Sequence, residues 1–432
     1  MKTILLPEKE SWDELCKRPG MARNDLENVV RAIINGVRSE NDSAIYSYSE
    51  KFDGVAGGNL KVSVNEILES EKQIPQELKS AIKIAKANIE KFHSVQLLTE
   101  PVVETVKGVI CWRKSVAIEK VGLYIPGGSA PLFSTLLMLG IPAKLAGCKD
   151  IIVCTPPEKN GKVNPLILYT AKLIGLTEIF KVGGAQAVAA MAYGTESIPK
   201  VNKIFGPGNQ YVMKAKELVQ LDGIAIDMPA GPSEVLVIAD KTANPAFIAA
   251  DLLSQAEHGP DSQVFMLTDN QELLEKVKAE VDNQIEDLPR KEIAFNALKN
   301  SKLILLPTLN DCMDFSNLYA PEHLIINTCD AVSFADRVSN AGSVFLGNLS
   351  CESAGDYASG TNHTLPTNGF ARNYSGISTE SFIKKISFQQ ISAEGIKNLG
   401  PSIELMAEAE SLIGHKQAVS LRLKTLQNDR TE

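Results

Sequence analysis

Apolar positions along the chain follow two periods in turn. Leu26, Val29, Val30, Ile33, Ile34 and Val37 recur at three- and four-residue steps, the spacing of one helical face, and Asn24 or Asp25 stands where a first-turn cap belongs. The same spacing predicts a second helix over about 78–92. From Val121 onward, short apolar runs alternate with amphipathic stretches, the pattern of parallel strands joined by crossover helices. These runs predict strands at 121–125, 151–154, 179–182, 203–205 and 224–226. A second series follows at 235–238, 263–267, 303–306, 323–326 and 343–346, with helices over 245–257 and 331–340 between its members.

Two such series predict an α/β fold of two doubly wound, Rossmann-like domains. The repeat reads as an ancient duplication visible in architecture alone, because residue identities do not recur at a fixed period. A helical N-terminal region precedes the sheets, and after about Phe382 the pattern turns helical again, over 403–413 and 418–426. A chain of 432 residues suggests about three structural units. The boundaries expected are an N-terminal segment 1–23, a discontinuous α/β domain of 24–120 plus 234–381, a second α/β domain of 121–233, and a small helical C-terminal tail, 382–432. So short a tail has little apolar surface to bury by itself, and it is expected to pack on another domain or another subunit.

Composition then removes several functions. Hydrophobic residues at 44% and charged residues at 22% are a globular balance. The net charge of -8 comes with no basic stripe, which argues against nucleic acid as a partner. The opening apolar run is too short for a signal peptide, and no stretch reaches the roughly 18 apolar residues of a membrane span. A cytoplasmic protein without a membrane partner is expected. The seven cysteines are scattered and never form a CxxC pair, so they read as reduced core thiols.

The five histidines carry more information. Gln255 and His258 lie three residues apart near a helix end, on one face, where they could share an ion or where His258 could simply cap the helix. Glu322-His323 joins the two groups best suited to proton transfer near neutrality. Adjacent strand side chains point to opposite faces, so both serve one site only if Pro321 makes the strand entry irregular. Otherwise the pair is an exposed strand end. Asp356 and His363 share a Gly- and Ser-rich loop that is either a site or an Asx-type turn. Glu410 and His415 fall in a helical stretch, where a solvated face is the plain alternative, and His93 reads as a packing residue. Without HExxH or cysteine pairs, a metal site must come from distant His, Asp and Gln ligands of the kind that suit zinc. Three glycine turns, at Tyr124-Ile125-Pro126-Gly127-Gly128-Ser129, at Gly183-Gly184-Ala185-Gln186 and at Gly206-Pro207-Gly208-Asn209, follow predicted strands of one sheet. Each alone is a common α/β turn and the GxGxxG fingerprint is absent, but together they mark that sheet's ligand crevice.

Taken in order, Gly122-Leu123-Tyr124-Ile125-Pro126-Gly127-Gly128, Gly206-Pro207-Gly208-Asn209, Ala230-Gly231-Pro232-Ser233-Glu234, the Gln255 and His258 pair, Ala320-Pro321-Glu322-His323-Leu324 and the 355–363 loop resemble histidinol dehydrogenase. The likeness runs from about residue 10 to 425. It implies oxidation of L-histidinol to L-histidine through a bound aldehyde with two NAD in succession, the last step of histidine biosynthesis. Carried over by resemblance, Gln255, His258, Asp356 and His415 hold one zinc ion per subunit. The substrate meets Ser233, His363 and Glu410 besides these four ligands and His323, and NAD meets Tyr124, Gln186 and Asn209. The discontinuous domain then forms the zinc and substrate side, and 121–233 the NAD side. The family is homodimeric, with the tail crossing over so that Glu410 and His415 complete the partner's site.

The resemblance also implies roles: His323 takes the alcohol proton as hydride leaves, and Glu322 activates water for attack on the aldehyde. Zinc serves to position the substrate. Two readings of other classes remain at this stage: a zinc hydrolase with Glu322 serving a metal-bound water, which needs no dinucleotide site, and a non-catalytic two-lobed binder of small polar ligands.

Overall fold

The structure, a computed structural model, describes residues 1–18, 23–127 and 131–428, with side chains from Leu26 in the first long helix. The side chains of Asn24 and Asp25, together with Gly128 and Ser129 of the first glycine turn, lie outside the described residues. The chain divides into two compact units, Met1–Gln96 with Ile118–Ser381, and Leu97–Ala117 with Phe382–Glu432.

The first unit holds two fully parallel sheets. The smaller runs Ile179–Lys181, Asp150–Thr155, Lys120–Tyr124, Lys203–Phe205, Ala225–Ile226. Numbered along the chain, that order is 3-2-1-4-5. The larger runs Lys2–Leu5, Lys302–Leu305, Gln263–Thr268, Glu234–Ala239, His323–Asn327, Ser343–Leu346. Apart from the edge strand Lys2–Leu5, it repeats the order 3-2-1-4-5, so the two series share one winding. All ten expected strands are present with bounds shifted by one residue at most. Their legibility has a physical cause: Glu234–Ala239 and Gln263–Thr268 are buried at every position, and strands covered on both faces read as unbroken apolar runs.

Helices depart from expectation in two places. The stretch 331–340 forms only the short helix Ala331–Phe334 and a 3₁₀ turn at Ala335–Arg337. The helix Arg23–Glu40 does not join the 234–381 sheet. Its Leu26, Val30, Ile33, Ile34 and Val37 share a core with Val188, Met191, Val212 and Ile152 of the smaller sheet's side, because the two-helix surface there, Gly184–Tyr193 and Gln210–Leu221, offers the matching apolar stripe.

In the second unit, Ile383–Ile391 pairs antiparallel with Val109–Ala117 along its whole length, and Val103–Val106 adds a third strand. This strand opens a segment read as helical throughout; most of it is exposed, so no apolar run announced it. The helices Ala393–Ala409 and Ile413–Asn428 follow and cover the expected 403–413 and 418–426. Gly400 lets them approach, since a Cβ there would press on Val419 and Leu423. Ile413–Asn428 has no buried residue in this unit, and Leu405, Met406, Leu412, Ile413 and Leu421 are exposed.

Among the described residues no helix is long and apolar enough to cross a membrane. The cysteines are all free, but only Cys16, Cys154 and Cys312 are core thiols; Cys111, Cys148 and Cys351 are half-buried and Cys329 is exposed. The general reading of core thiols is corrected on this point: Cys148, Cys329 and Cys351 fall outside the buried strands and helix faces, and Cys111 lies on a three-stranded sheet that is only partly covered.

Candidate active site

Each sheet has a switch point where its winding reverses, between Lys120–Tyr124 and Lys203–Phe205 in the smaller and between Glu234–Ala239 and His323–Asn327 in the larger. Ligands of doubly wound sheets collect outside the carboxyl ends of the strands at such points. The smaller sheet obeys. A cavity of about 790 Å³ opens there, lined by Tyr124, Gly127, Gly184, Gln186 and Asn209. The Tyr124 hydroxyl accepts from the Gly184 N–H at 3.1 Å, and burial pushes its pKa up to about 12, so it stays a neutral hydroxyl. Asn209 caps the helix Gln210–Leu221 by accepting from the N–H groups of Tyr211 and Val212. A Cβ on Gly127 or Gly183 would strike Pro156, so glycine keeps this rim open for close backbone approach.

The larger sheet uses its opposite end. Glu234 and His323 are the first residues of their strands, and Gln255 sits in the last turn of the helix Pro245–Ala256 that returns to that end. The entry to His323 is irregular, as a shared site requires: Ala320 has φ 55° and Pro321 follows it. Glu322 and His323 are therefore not an exposed strand end. Both are buried, and both face one amide, with Gln255 Nε2 at 3.3 Å from Glu322 Oε2 and 3.3 Å from His323 Nδ1. The Glu234 N–H donates to Glu322 Oε2 at 2.8 Å, and His323 Nδ1–H donates to Glu234 O at 3.2 Å.

On its other side His323 Nε2 lies 3.5 Å from Asp356 Oδ1. Asp356 stands on the short helix Glu352–Tyr357, and Glu352, one turn earlier on the same face, is buried beside it. Ligand atoms of His323, Glu352 and Asp356 all fall within 4.8 Å of one another. His363 Nδ1–H donates to Asp356 O at 2.8 Å and its Nε2 accepts from the Thr135 hydroxyl at 3.0 Å. Both ring nitrogens are thus engaged, and in this state His363 holds Asp356 in place. His258 lies on a second cavity, of about 880 Å³, with Ser233, Gly208 and Asn209. Asn209 lines both cavities.

Electrostatics sort these groups. Burial raises the Glu322 carboxyl to about 8 against the pull of His323. Burial alone would depress His323, but Glu352, Glu322 and Asp356 outweigh it and hold the ring up to about 10. Asp356 is desolvated too, yet His323 brings it below the usual carboxylate range. Glu352 is lifted well above that range by burial. The His258 ring reaches solvent but sits deep among protein groups, and that desolvation lowers it while Asp356 pulls the other way. The result is an imidazole held toward its protonated form by three carboxyl groups, poised to exchange protons.

The donor set fits a divalent metal. Gln255 Oε1, Asp356 Oδ1, His323 Nε2 and Glu352 Oε2 are all buried without a hydrogen-bond partner among the described residues, a costly state unless something else satisfies them. The tightest trio, His323, Glu352 and Asp356, shares only Asp356 with the four ligands expected by resemblance. Glu410 and His415 belong to the second unit, the one capping Ala393–Ala409 and the other in the first turn of Ile413–Asn428, both exposed there. Sequence reading missed Glu352, Glu234, Thr135 and Arg18. The four-residue step from Glu352 to Asp356 was the available signal for the first; Arg18 carried none.

A glycine-rimmed crevice that shares Asn209 with the cavity of Ser233 and His258, together with the buried Glu322 and His323 pair, suits a two-lobed oxidoreductase. The comparisons are specific. The histidinol dehydrogenase family profile matches residues 16–423. Histidinol dehydrogenase of Bacteroides thetaiotaomicron is 59% identical over 426 residues, covering 99% of this chain and 100% of that one. The Escherichia coli enzyme of the same name is 50% identical, covering 96% of each. The crystal structure of histidinol dehydrogenase from Elizabethkingia anophelis superposes with a TM-score of 0.97 at 57% identity, over 99% of both chains. This chain belongs to the histidinol dehydrogenase family.

Proposed function

We propose that the chain oxidises L-histidinol to L-histidine through an enzyme-bound aldehyde, reducing two NAD molecules in succession, with one zinc ion per subunit, in the cytoplasm. The observation that carries this reading is the convergence of Glu322 and His323 on Gln255, 3.3 Å from each, beside Asp356. Gln255, His258, Asp356 and a His415 supplied by the partner subunit would hold the metal, which would serve to position the substrate. Tyr124, Gln186 and Asn209 bind the dinucleotide, and Ser233, His363 and Glu410 complete the substrate pocket.

Two proton steps then fall to the chain. His323, once neutral, accepts the alcohol proton while hydride passes from carbon to the first NAD. Glu322 then removes a proton from water as its oxygen attacks the aldehyde carbon, and the resulting hydrate gives a second hydride to a second NAD, leaving the carboxylate. His363 keeps Asp356 in register throughout. Because His323 is held protonated by its carboxylate neighbours, the first step needs the alkaline side of neutrality. A zinc hydrolase would leave the 790 Å³ crevice without a purpose. The test is NADH absorbance on adding NAD and histidinol to the purified protein, with zinc and with a chelator. No NADH with zinc present rejects the reading.

A further inference from the structure

Three strands away from the catalytic pair, at the same end of the larger sheet, lies a smaller cavity of about 260 Å³. Its walls are Lys2, Lys17, Arg18, Lys299 and Lys302, with Gln263, Asn300 and Ser301. Five cations and no carboxylate line it, in a chain whose net charge is -8. The volume holds a multi-atom solute, since one water takes about 30 Å³ of liquid.

The lysines are placed there against the ordinary rules of a sheet. Lys2 and Lys302 are register partners on adjacent parallel strands, and like charges side by side destabilise such a pair. Neither has a carboxylate at ion-pair distance among the described residues. Lys302 is half-buried, its ammonium 4.5 Å from the centre of the Phe265 ring, and burial together with Lys2 lowers its pKa. Lys299 donates to the neutral Asn296 Oδ1 at 2.7 Å and lies 5.3 Å from the centre of the Phe295 ring, and it too has no carboxylate partner among the described residues. Lys17 pairs with the exposed Glu14, a partner it can leave at little cost. Gln263 is already satisfied, donating to Asn300 O and Lys17 O and accepting from the Tyr319 hydroxyl. The charge that the wall offers a ligand is that of its ammonium groups and of Arg18.

We propose that this cavity binds a compact phosphoryl-bearing polyanion, of which diphosphate is the simplest, through Lys2, Lys17, Lys299 and Lys302. A planar carboxylate is best met by an arginine fork, whereas phosphoryl oxygens, pointing in several directions, suit separate lysine point charges. The one arginine present, Arg18, already spends its Nε and Nη2 on Glu234. Two phosphoryl groups are needed to balance four ammonium charges.

The test is calorimetric titration of the full-length protein with inorganic pyrophosphate, in the presence of saturating NAD so that the dinucleotide crevice is filled. Saturable binding of one pyrophosphate per chain is expected, with Lys2→Gln and Lys299→Gln each weakening it by about tenfold or more, the loss of one charged hydrogen bond, and with NAD affinity unchanged. Lys302→Gln should also raise the melting temperature of the anion-free protein, because it removes the like-charged pair, and should abolish the rise that pyrophosphate gives the wild type. The proposal is overturned by absence of saturable binding, by binding that all three variants retain, or by citrate binding as tightly as pyrophosphate.

Discussion

Arg18 grips Glu234 with both Nε and Nη2, the latter 2.9 Å from Oε2, and this buried pair ties together the strand ends that carry the catalytic groups. The same Nη2 donates to Tyr319 O at 2.9 Å, just before the turn into Glu322, and the guanidinium lies 4.0 Å from the centre of the Tyr319 ring. Glu234 Oε1 also accepts from the Asn368 N–H at 3.0 Å. Through its own backbone Glu234 reaches Glu322, Gln255 and His323. A residue from the N-terminal segment thus fixes the site's frame.

Arg18→Met should therefore cost about 3–5 kcal/mol of stability, since it strands a buried carboxylate. Replacing both partners, Arg18→Met with Glu234→Met, should recover most of that loss in urea denaturation. A single-variant loss below about 1 kcal/mol would mean that the pair behaves as a surface ion pair and aligns nothing.

The two proton-transfer residues are separable by substrate. Glu322→Gln should slow oxidation of histidinol to the acid by about 10²-fold or more, the scale of one general base, while reduction of histidinal by NADH survives. His323→Ala should impair both directions. Equal losses from Glu322→Gln in the two assays would deny Glu322 its role in hydration.

Much of this site was legible in the chain and some was not, for physical reasons. The ten core strands read directly because both their faces are buried. Glu322 and His323 were visible as a pair, but their convergence depended on the backbone at Ala320 and Pro321, which spacing does not encode. Glu352 was missed because one buried carboxylate in Cys351-Glu352-Ser353 looks like a solvated helix start; only the fold removes it from water. Arg18 is far from Glu234 along the chain, and no periodicity announces a partner across such a separation. Ile383–Ile391 escaped because an exposed strand shows no apolar run.

Glu352 gives the pH dependence a handle. Its carboxylate is a leading cause of the upward shift of His323, so the two share a proton and titrate together. Removing that charge lowers the pKa of His323, and the rise of kcat with pH must then begin at lower pH. Glu352→Gln in the zinc-loaded enzyme should move the limb toward acid, and a profile that overlays the wild type would show that Glu352 exerts no such pull.

Metal content tests the ligand set directly. His258→Ala and Asp356→Asn should each lower zinc measured by elemental analysis while the protein keeps its fold, because His258 is a cleft residue with no core packing to lose. Activity of the wild type should fall on chelation and return with zinc, as expected where His258 and Asp356 must be deprotonated to bind the ion. Full activity in protein shown to be metal-free would end the zinc reading.

Assembly supplies the last test, and it starts from the second unit. Its final helix buries no residue there, and Leu405, Met406, Leu412, Ile413 and Leu421 are left exposed, apolar side chains of the kind that mark an interaction surface when they are contiguous. If that surface is covered by a second copy, and Glu410 and His415 enter the partner's site, every active site contains residues of two chains. His258→Ala and His415→Ala would each be inactive as homodimers. In a heterodimer of the two, one site carries both lesions and the other carries neither, by the two-fold symmetry of such an interface. Mixing them under subunit exchange should then restore up to about half of the wild-type activity per heterodimer. If isolated heterodimers, verified by mass and fold, remain inactive, His258 and His415 act within one chain and the shared site is wrong.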